Sequence, residues 1–265
     1  MHVWTPPDGH PIDEERAKAL MAGDFGNASE EILAKYSAPI FWVSLEKPGE
    51  PILHNGTVTF VRTPRRIFAV TAAHVFRQYQ DDAKRGKTQL VIGNAPADAT
   101  LLVDISDKYD LATIAMNKDV LRLIGKEVTP AGYWPPVPPQ EGRGIMLGGY
   151  PAGLRNQTAQ RMVAFGSFAA MGVARRVTEV QITWHLEREF VVENKRIAKL
   201  PEGYNLGGIS GGPMIAWFES PAKVMFPRLA GILTEHPNYG ENSFSIERIV
   251  AVRADLIDEN GMISK

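Results

Sequence analysis

Apolar and polar positions follow two different patterns along this chain. Up to about residue 37, "PIDEERAKALMAGDFGNASEEILAKYS" spaces its apolar residues as helices do, with Asp13 and Ser29 as candidate N-caps before acidic turns. Residues 1–37 therefore read as a helical extension. From Pro39 the pattern changes to short runs bounded by Gly, Pro or Asp: "PIFWVSL", "GTVTFVR", "RRIFAVT", "TQLVIG", "ATLLVDI" and "LATIAM". Rich in Val, Ile, Thr and Phe, each is a strand candidate. The stretch 129–142, "TPAGYWPPVPPQEG", holds five prolines, which lack the N–H that a regular element needs, so it reads as a linker. Strand texture resumes with "GIMLGGY", "QRMVAFGSFAA", "RVTEVQITWHL", "PMIAWF" and "RLAGILT". The tail from Ser245 has apolar residues at 246, 249, 250 and 256, which predicts a terminal amphipathic helix.

About a dozen short strands in two groups predict an all-β fold, either two packed β-barrels or a pair of sandwiches. The first spans 38–128 and the second 143–265, the latter ending in the helix. No repeat period or low-complexity tract is present.

Composition narrows the classes of function. With 265 residues and a net charge of -1, the chain is long enough for a sizeable core and has no basic excess to suit nucleic acid or an anionic membrane. Cysteine is absent, which excludes disulfides, zinc–thiolate sites and a cysteine nucleophile. The first residues carry no basic start or apolar run, so no signal peptide is expected, and no run is long enough to span a membrane. A cytoplasmic location is the expectation, with no metal and no organic cofactor.

Candidate chemistry gathers at "GGISGGPM", 207–214, where four glycines and a proline surround Ser210. Such a cluster is either a tight turn or a place where bare N–H groups approach an anion. Serine needs a neighbouring base, usually a histidine oriented by a carboxylate. His74, in "FAVTAAHVF", follows a β-run and starts a short helix; Asp110, in "KYDLATIAM", heads a hydrophobic strand. Taken alone, either could be structural, and His2, His10, His54 and His185 are read so.

Together, "VTAAHVF", "YDLATIAM" and "GGISGGPMI", in the order His, Asp, Ser, resemble the three signature segments of trypsin-like, chymotrypsin-fold serine proteases, with the compact bacterial branch closest in pattern. "LGGYPAG" resembles the turn that opens the second barrel there, and "LAGILTE" the strand lining the substrate cleft. The resemblance spans residues 40 to 256. It implies two six-stranded antiparallel β-barrels, a polypeptide substrate, and a triad of Ser210 as nucleophile, His74 as base and Asp110 as orienting carboxylate. The N–H groups of Gly208 and Ser210 would form the oxyanion hole. Thr234 would bond Asp110 or be an ordinary strand threonine; Tyr204, six residues before the serine, Thr234 and His236 are the substrate-pocket candidates, with an ordinary loop position the alternative for His236.

Two departures carry consequences. Ile209 stands where the digestive branch has an acid that pairs with a freshly cut N-terminus, so activation by cleavage is not expected. Residues 172–203 form a charged, strand-like insertion that either shapes the cleft, binds a protein partner or is a solvated hairpin; the N-terminal extension is the other candidate partner surface. "GISGG" also fits the nucleophile elbow of α/β-hydrolases. That fold needs an acid and then a histidine after the serine, yet no aspartate lies between Ser210 and His236. The rival reading from another class is a protease-fold scaffold without turnover; an esterase on the same fold is a lesser one.

Overall fold

The computed structural model describes residues 14–47, 50–159, 162–186, 206–235 and 247–265. Helices α1 (Glu14–Ala22) and α2 (Asp24–Lys35) precede β1 (Ser37–Lys47), β2 (Glu50–Arg62) and β3 (Ile67–Thr71). Helix α3 (Ala73–Arg85) leads to β4 (Val91–Ile92), β5 (Ala95–Pro96), β6 (Leu102–Ser106) and β7 (Leu111–Ala115), and a short α4 (Lys118–Leu123) follows. These strands pair in the order β5-β4-β1-β2-β3-β7-β6.

Beyond the linker come β8 (Gly144–Gly149), β9 (Arg155–Ala159), β10 (Met162–Phe165), β11 (Phe168–Val173), β12 (Arg176–Val177) and β13 (Gln181–Leu186). They are followed by β14 (Pro213–Glu219), β15 (Met225–Glu235) and β16 (Glu247–Arg253). The second sheet runs β11-β8-β14-β15-β16-β13-β12, and β9 pairs with β10 alone. The architecture is all-β, as expected, with seven paired strands in each large sheet among the described residues.

Alternating side chains of these strands face two different apolar layers. On β7, Ala112 and Ile114 join a first core with Trp42, Phe60, Phe76 and Leu90, while Leu111 faces the other way. On β8, Ile145 and Leu147 join a second core with Phe168 and Met214, while Met146 faces away. The residues that face away meet in a third layer, where Phe68, Val70 and Leu111 of the first sheet pack with Met146, Ile215 and Val252 of the second. A strand buried on both faces reads as a continuous apolar run, not an alternation. That explains "FAV", "IML" and "MIA".

It also explains the main correction. Residues 247–265 form no α-helix: "IVAV" is the centre of β16, with Ile249 and Ala251 in the second core and Val252 in the shared layer. Only a 3₁₀ turn, Ala254–Leu256, follows. The final residues lie on the first sheet, where Thr113 Oγ1 donates to Gly261 O (2.6 Å) and Ile263 N–H donates to Asp104 Oδ2 (2.8 Å).

Two further expectations change. Ser29 caps no helix: it is buried inside α2, and its hydroxyl donates to the Phe25 carbonyl. Helix α2, within the helical extension, touches β1 of the first sheet and β8 and β11 of the second, burying Leu33 in the shared layer. Residues 176–186 of the charged stretch are no insertion, because β13 pairs with β16 over six residues and buries Ile182 and Trp184. Asp13 and residues 187–203 lie outside the described residues.

Candidate active site

His74 is the second residue of α3, whose N-cap, Ala72, has no side chain able to cap it. The missing cap comes from the β6–β7 turn. Asp110 O accepts from Ala73 N–H (3.1 Å), its Oδ1 accepts from His74 N–H (2.8 Å), and its Oδ2 lies 2.7 Å from His74 Nδ1. One residue thus satisfies two orphan amides of the helix start, places a negative charge there, and orients the imidazole. Asp110 reaches this position at φ 52, in the left-handed region that Asp and Asn tolerate better than most residues. Arg77, one turn along α3, grips the same turn through both oxygens of Asp107 (3.1 and 3.2 Å). The geometry that caps α3 is the same one that orients the imidazole.

The Ser210 loop lies against the first sheet, with every carbonyl from 207 to 211 occupied. Gly207 O accepts from Ala152 N–H (2.7 Å), Ile209 O from Gly212 N–H (2.8 Å) and Ser210 O from Thr57 N–H (2.8 Å). Gly208 O accepts from Thr57 Oγ1 and Gly211 O from Thr59 Oγ1, both at 2.8 Å. A trans peptide points its N–H opposite its carbonyl. With the Gly207 and Ile209 carbonyls fixed, the N–H groups of Gly208 and Ser210 are directed away from those anchors. Among the described residues neither meets a protein acceptor. They are two free donors flanking Ile209.

Two glycines are required by this arrangement. Gly208 has φ 98, and a Cβ there would lie 2.4 Å from Asn55 Nδ2. Gly211 has φ 94, and a Cβ would lie 1.8 Å from Thr57 O and 2.6 Å from Thr71 Oγ1. Thr71 is three residues before His74, so the same close packing brings the serine loop to the histidine segment. Ile209 is buried in the second core at 1% exposure, an apolar anchor where an acid would need a charged partner.

The other candidates fare differently. Ser210 is 3% exposed, and its hydroxyl donates to Thr234 O at 3.3 Å. Thr234 is buried beside the serine; it contributes that carbonyl rather than the expected bond to Asp110, whose carboxylate oxygens both go to His74. Tyr204 and His236 lie outside the described residues. His54 is structural, as expected: its ring stacks on Trp42 and its nitrogens bond Ser44 Oγ (2.8 Å) and Gln78 Nε2 (2.9 Å). Sequence reasoning missed Thr57, Thr59 and Thr71, because threonine in a strand is already accounted for by its β-propensity.

No protein-family model matches the chain, and a search of curated proteins finds no similar sequence. Among solved structures, the chain is similar to AL20, a thermostable serine protease from an extremophilic microorganism. Identity is 14%, with 84% of this chain and 92% of that one covered, at a TM-score of 0.44. It is also similar to the protease Anisep from Arthrobacter nicotinovorans, at 14% identity, 84% and 91% coverage and a TM-score of 0.42. Likeness at that level carries no argument about the site, which stands on its own geometry. No helix among the described residues is long and apolar enough to cross a membrane.

Proposed function

We propose that this chain is a serine endopeptidase that hydrolyses peptide bonds through an acyl-enzyme on Ser210. The observation that carries the reading is the pair of free N–H groups at Gly208 and Ser210, on a loop packed against Thr71, three residues before an imidazole held by a carboxylate. Ser210 Oγ would turn from Thr234 O toward His74, whose Nε2 takes the hydroxyl proton as Oγ attacks the scissile carbonyl carbon. The carbonyl electron pair moves to oxygen, and the two N–H groups stabilise that charge. His74 then gives the proton to the leaving amine, the C–N bond breaks, and an ester remains on Ser210. Water, deprotonated by His74, repeats the sequence and releases the acid. Asp110 holds the ring with its proton on Nδ1 and stabilises the imidazolium between steps.

A second reading, a protease-fold scaffold without turnover, is favoured by one feature: the serine hydroxyl is buried and engaged with Thr234 O. A fluorophosphonate probe separates the two. The wild-type chain should be labelled at Ser210, and Ser210→Ala should be silent with nearly unchanged thermal stability, since only one long hydrogen bond is lost. An unlabelled wild-type chain, or a labelled Ser210→Ala chain, refutes the assignment.

A further inference from the structure

One side chain of the first sheet sits at the hub of the bonds that hold the oxyanion donors. Thr57, on β2, is 0% exposed. Its Oγ1 donates to Gly208 O (2.8 Å) and accepts from Tyr150 N–H (3.0 Å). Its main chain is used as well, the N–H by Ser210 O and the carbonyl by Thr71 Oγ1, each at 2.8 Å. The bond from Tyr150 matters because Ala152 N–H, two residues on, fixes the Gly207 carbonyl. Asn55 supports the same segment, its Nδ2 donating to Tyr150 O (2.8 Å). Both peptides flanking Gly208 are thus tied to a single hydroxyl, one directly and one through residues 150–152.

A buried strand position does not need this hydroxyl for its own sake. Valine has the same shape and comparable β-propensity, and brings no polar atom into the interior. A fully buried hydroxyl that uses both its donor and its acceptor is there for the bonds it makes. Gly208, with no Cβ to restrain it, has its dihedrals set by the bonds on its two flanking peptides, of which Ile209 N–H to Leu206 O (3.2 Å) is the one independent of Thr57.

We propose that Thr57 is a positioning residue for the oxyanion site, its hydroxyl holding the Gly208 N–H in the orientation that meets the developing charge. This rests on the peptidase reading above. Thr57→Val keeps the shape and leaves Gly208 O and Tyr150 N–H without a partner, so the peptides around Gly208 rotate and one donor is lost. Removing one such donor lowers kcat by about 10²–10³. KM stays within about threefold, because a donor aimed at the transition state contributes little to ground-state binding. Affinity for a peptide boronate, which mimics the tetrahedral state, falls in step with kcat. Thr57→Ser restores both to within about fivefold.

The test measures kcat, KM and boronate affinity for the three chains, together with crystal structures of wild type and Thr57→Val. A valine variant that keeps its kcat, or a serine variant no better than valine, overturns the inference. So does a valine structure in which the Gly208 amide has not moved, and that result needs no activity. Should wild type itself neither label nor cleave, the peptidase reading falls, while the paired structures still decide whether Thr57 sets the Gly208 amide. If the valine chain does not fold, Thr57→Cys, with its longer and weaker S–H bond, must show an intermediate loss of kcat; full activity there overturns the proposal.

Discussion

Replacing Asp110 by asparagine removes a charge with almost no change of shape, and the left-handed φ of 52 at this residue is one that asparagine tolerates. The helix cap should survive: the backbone carbonyl still accepts from Ala73, and the amide oxygen still accepts from His74 N–H. The other end of the side chain then presents NH₂ to Nδ1, where a carboxylate oxygen now sits at 2.7 Å. A donor facing Nδ1 forces that nitrogen to accept, so the ring proton moves to Nε2, the atom that must take the serine proton. The expected fall in kcat is about 10⁴, the size seen where this tautomer is lost, equivalent to about 5.4 kcal/mol of barrier. Stability should drop by only about 0.3–1 kcal/mol, the usual worth of a charge at a helix start. Asp110→Ala loses the cap as well and places a Cβ-bearing residue without polar compensation at positive φ, at an added cost of about 1–2 kcal/mol. Acylation by a fluorophosphonate or an activated ester reads the rate, and thermal melts read the stability. An asparagine variant with more than about a tenth of the wild-type rate would show that Asp110 is only a helix cap.

Two other outcomes follow from the packing of the chain's ends. Leu33→Ala should cost about 2–5 kcal/mol, since Leu33 is 2% exposed in the layer shared by both sheets; a melt would show it, and a variant that gained reactivity without losing stability would make α2 a lid instead. Burial pushes the Asp258 pKa up, but the Met262 and Asn260 amides it accepts from outweigh this, and the net shift is below its ordinary 3.8. A depressed carboxylate contributes stability above its unfolded pKa and loses it as pH falls through the folded one. Protection of the Met262 and Asn260 amides (both 2.8 Å from Asp258 Oδ1), taken relative to the intrinsic exchange rate at each pH, should therefore fall only below about pH 4, and Asp258→Asn should remove that dependence.

The parts of this molecule readable from sequence are those whose signal lies in the residue types and their local order. Short β-branched runs became strands, the glycines around Ser210 became positions where a Cβ has no room, and His74 and Asp110 came together across 36 residues. What misled was double use. "IVAV" serves two apolar layers at once, so its lack of alternation passed for a helix face. The stretch at 176–186 carries charges between buried Ile182 and Trp184, and its charges passed for an insertion. The prolines at 129–142 do rule out a strand, yet they leave Thr129 and Tyr133 buried and Val137 N–H bonded to Leu229 O, so this connector is part of the packing. A pattern that reports only local periodicity carries no record of a second neighbour on the far face.

The same double use bears on how the site is held. His74 and Asp110 stand on the helix and turn attached to the first sheet and Ser210 on the loop leading into the second, so in the proposed peptidase their alignment would depend on the layer between the sheets. That layer is apolar, and apolar attraction has no direction; it can press two sheets together without fixing where a peptide N–H points. Catalytic geometry needs placement within about 0.5 Å. The directional part is supplied by three buried threonine hydroxyls on β2 and β3. Two of them, on Thr57 and Thr59, reach across to the Gly208 and Gly211 carbonyls, and the third, on Thr71, secures the carbonyl of Thr57. Hydrophobic burial accounts for the two sheets meeting, and these bonds account for the register in which they meet. A threonine lost from this set should therefore cost more rate than stability, whereas a core residue lost from the shared layer should do the reverse.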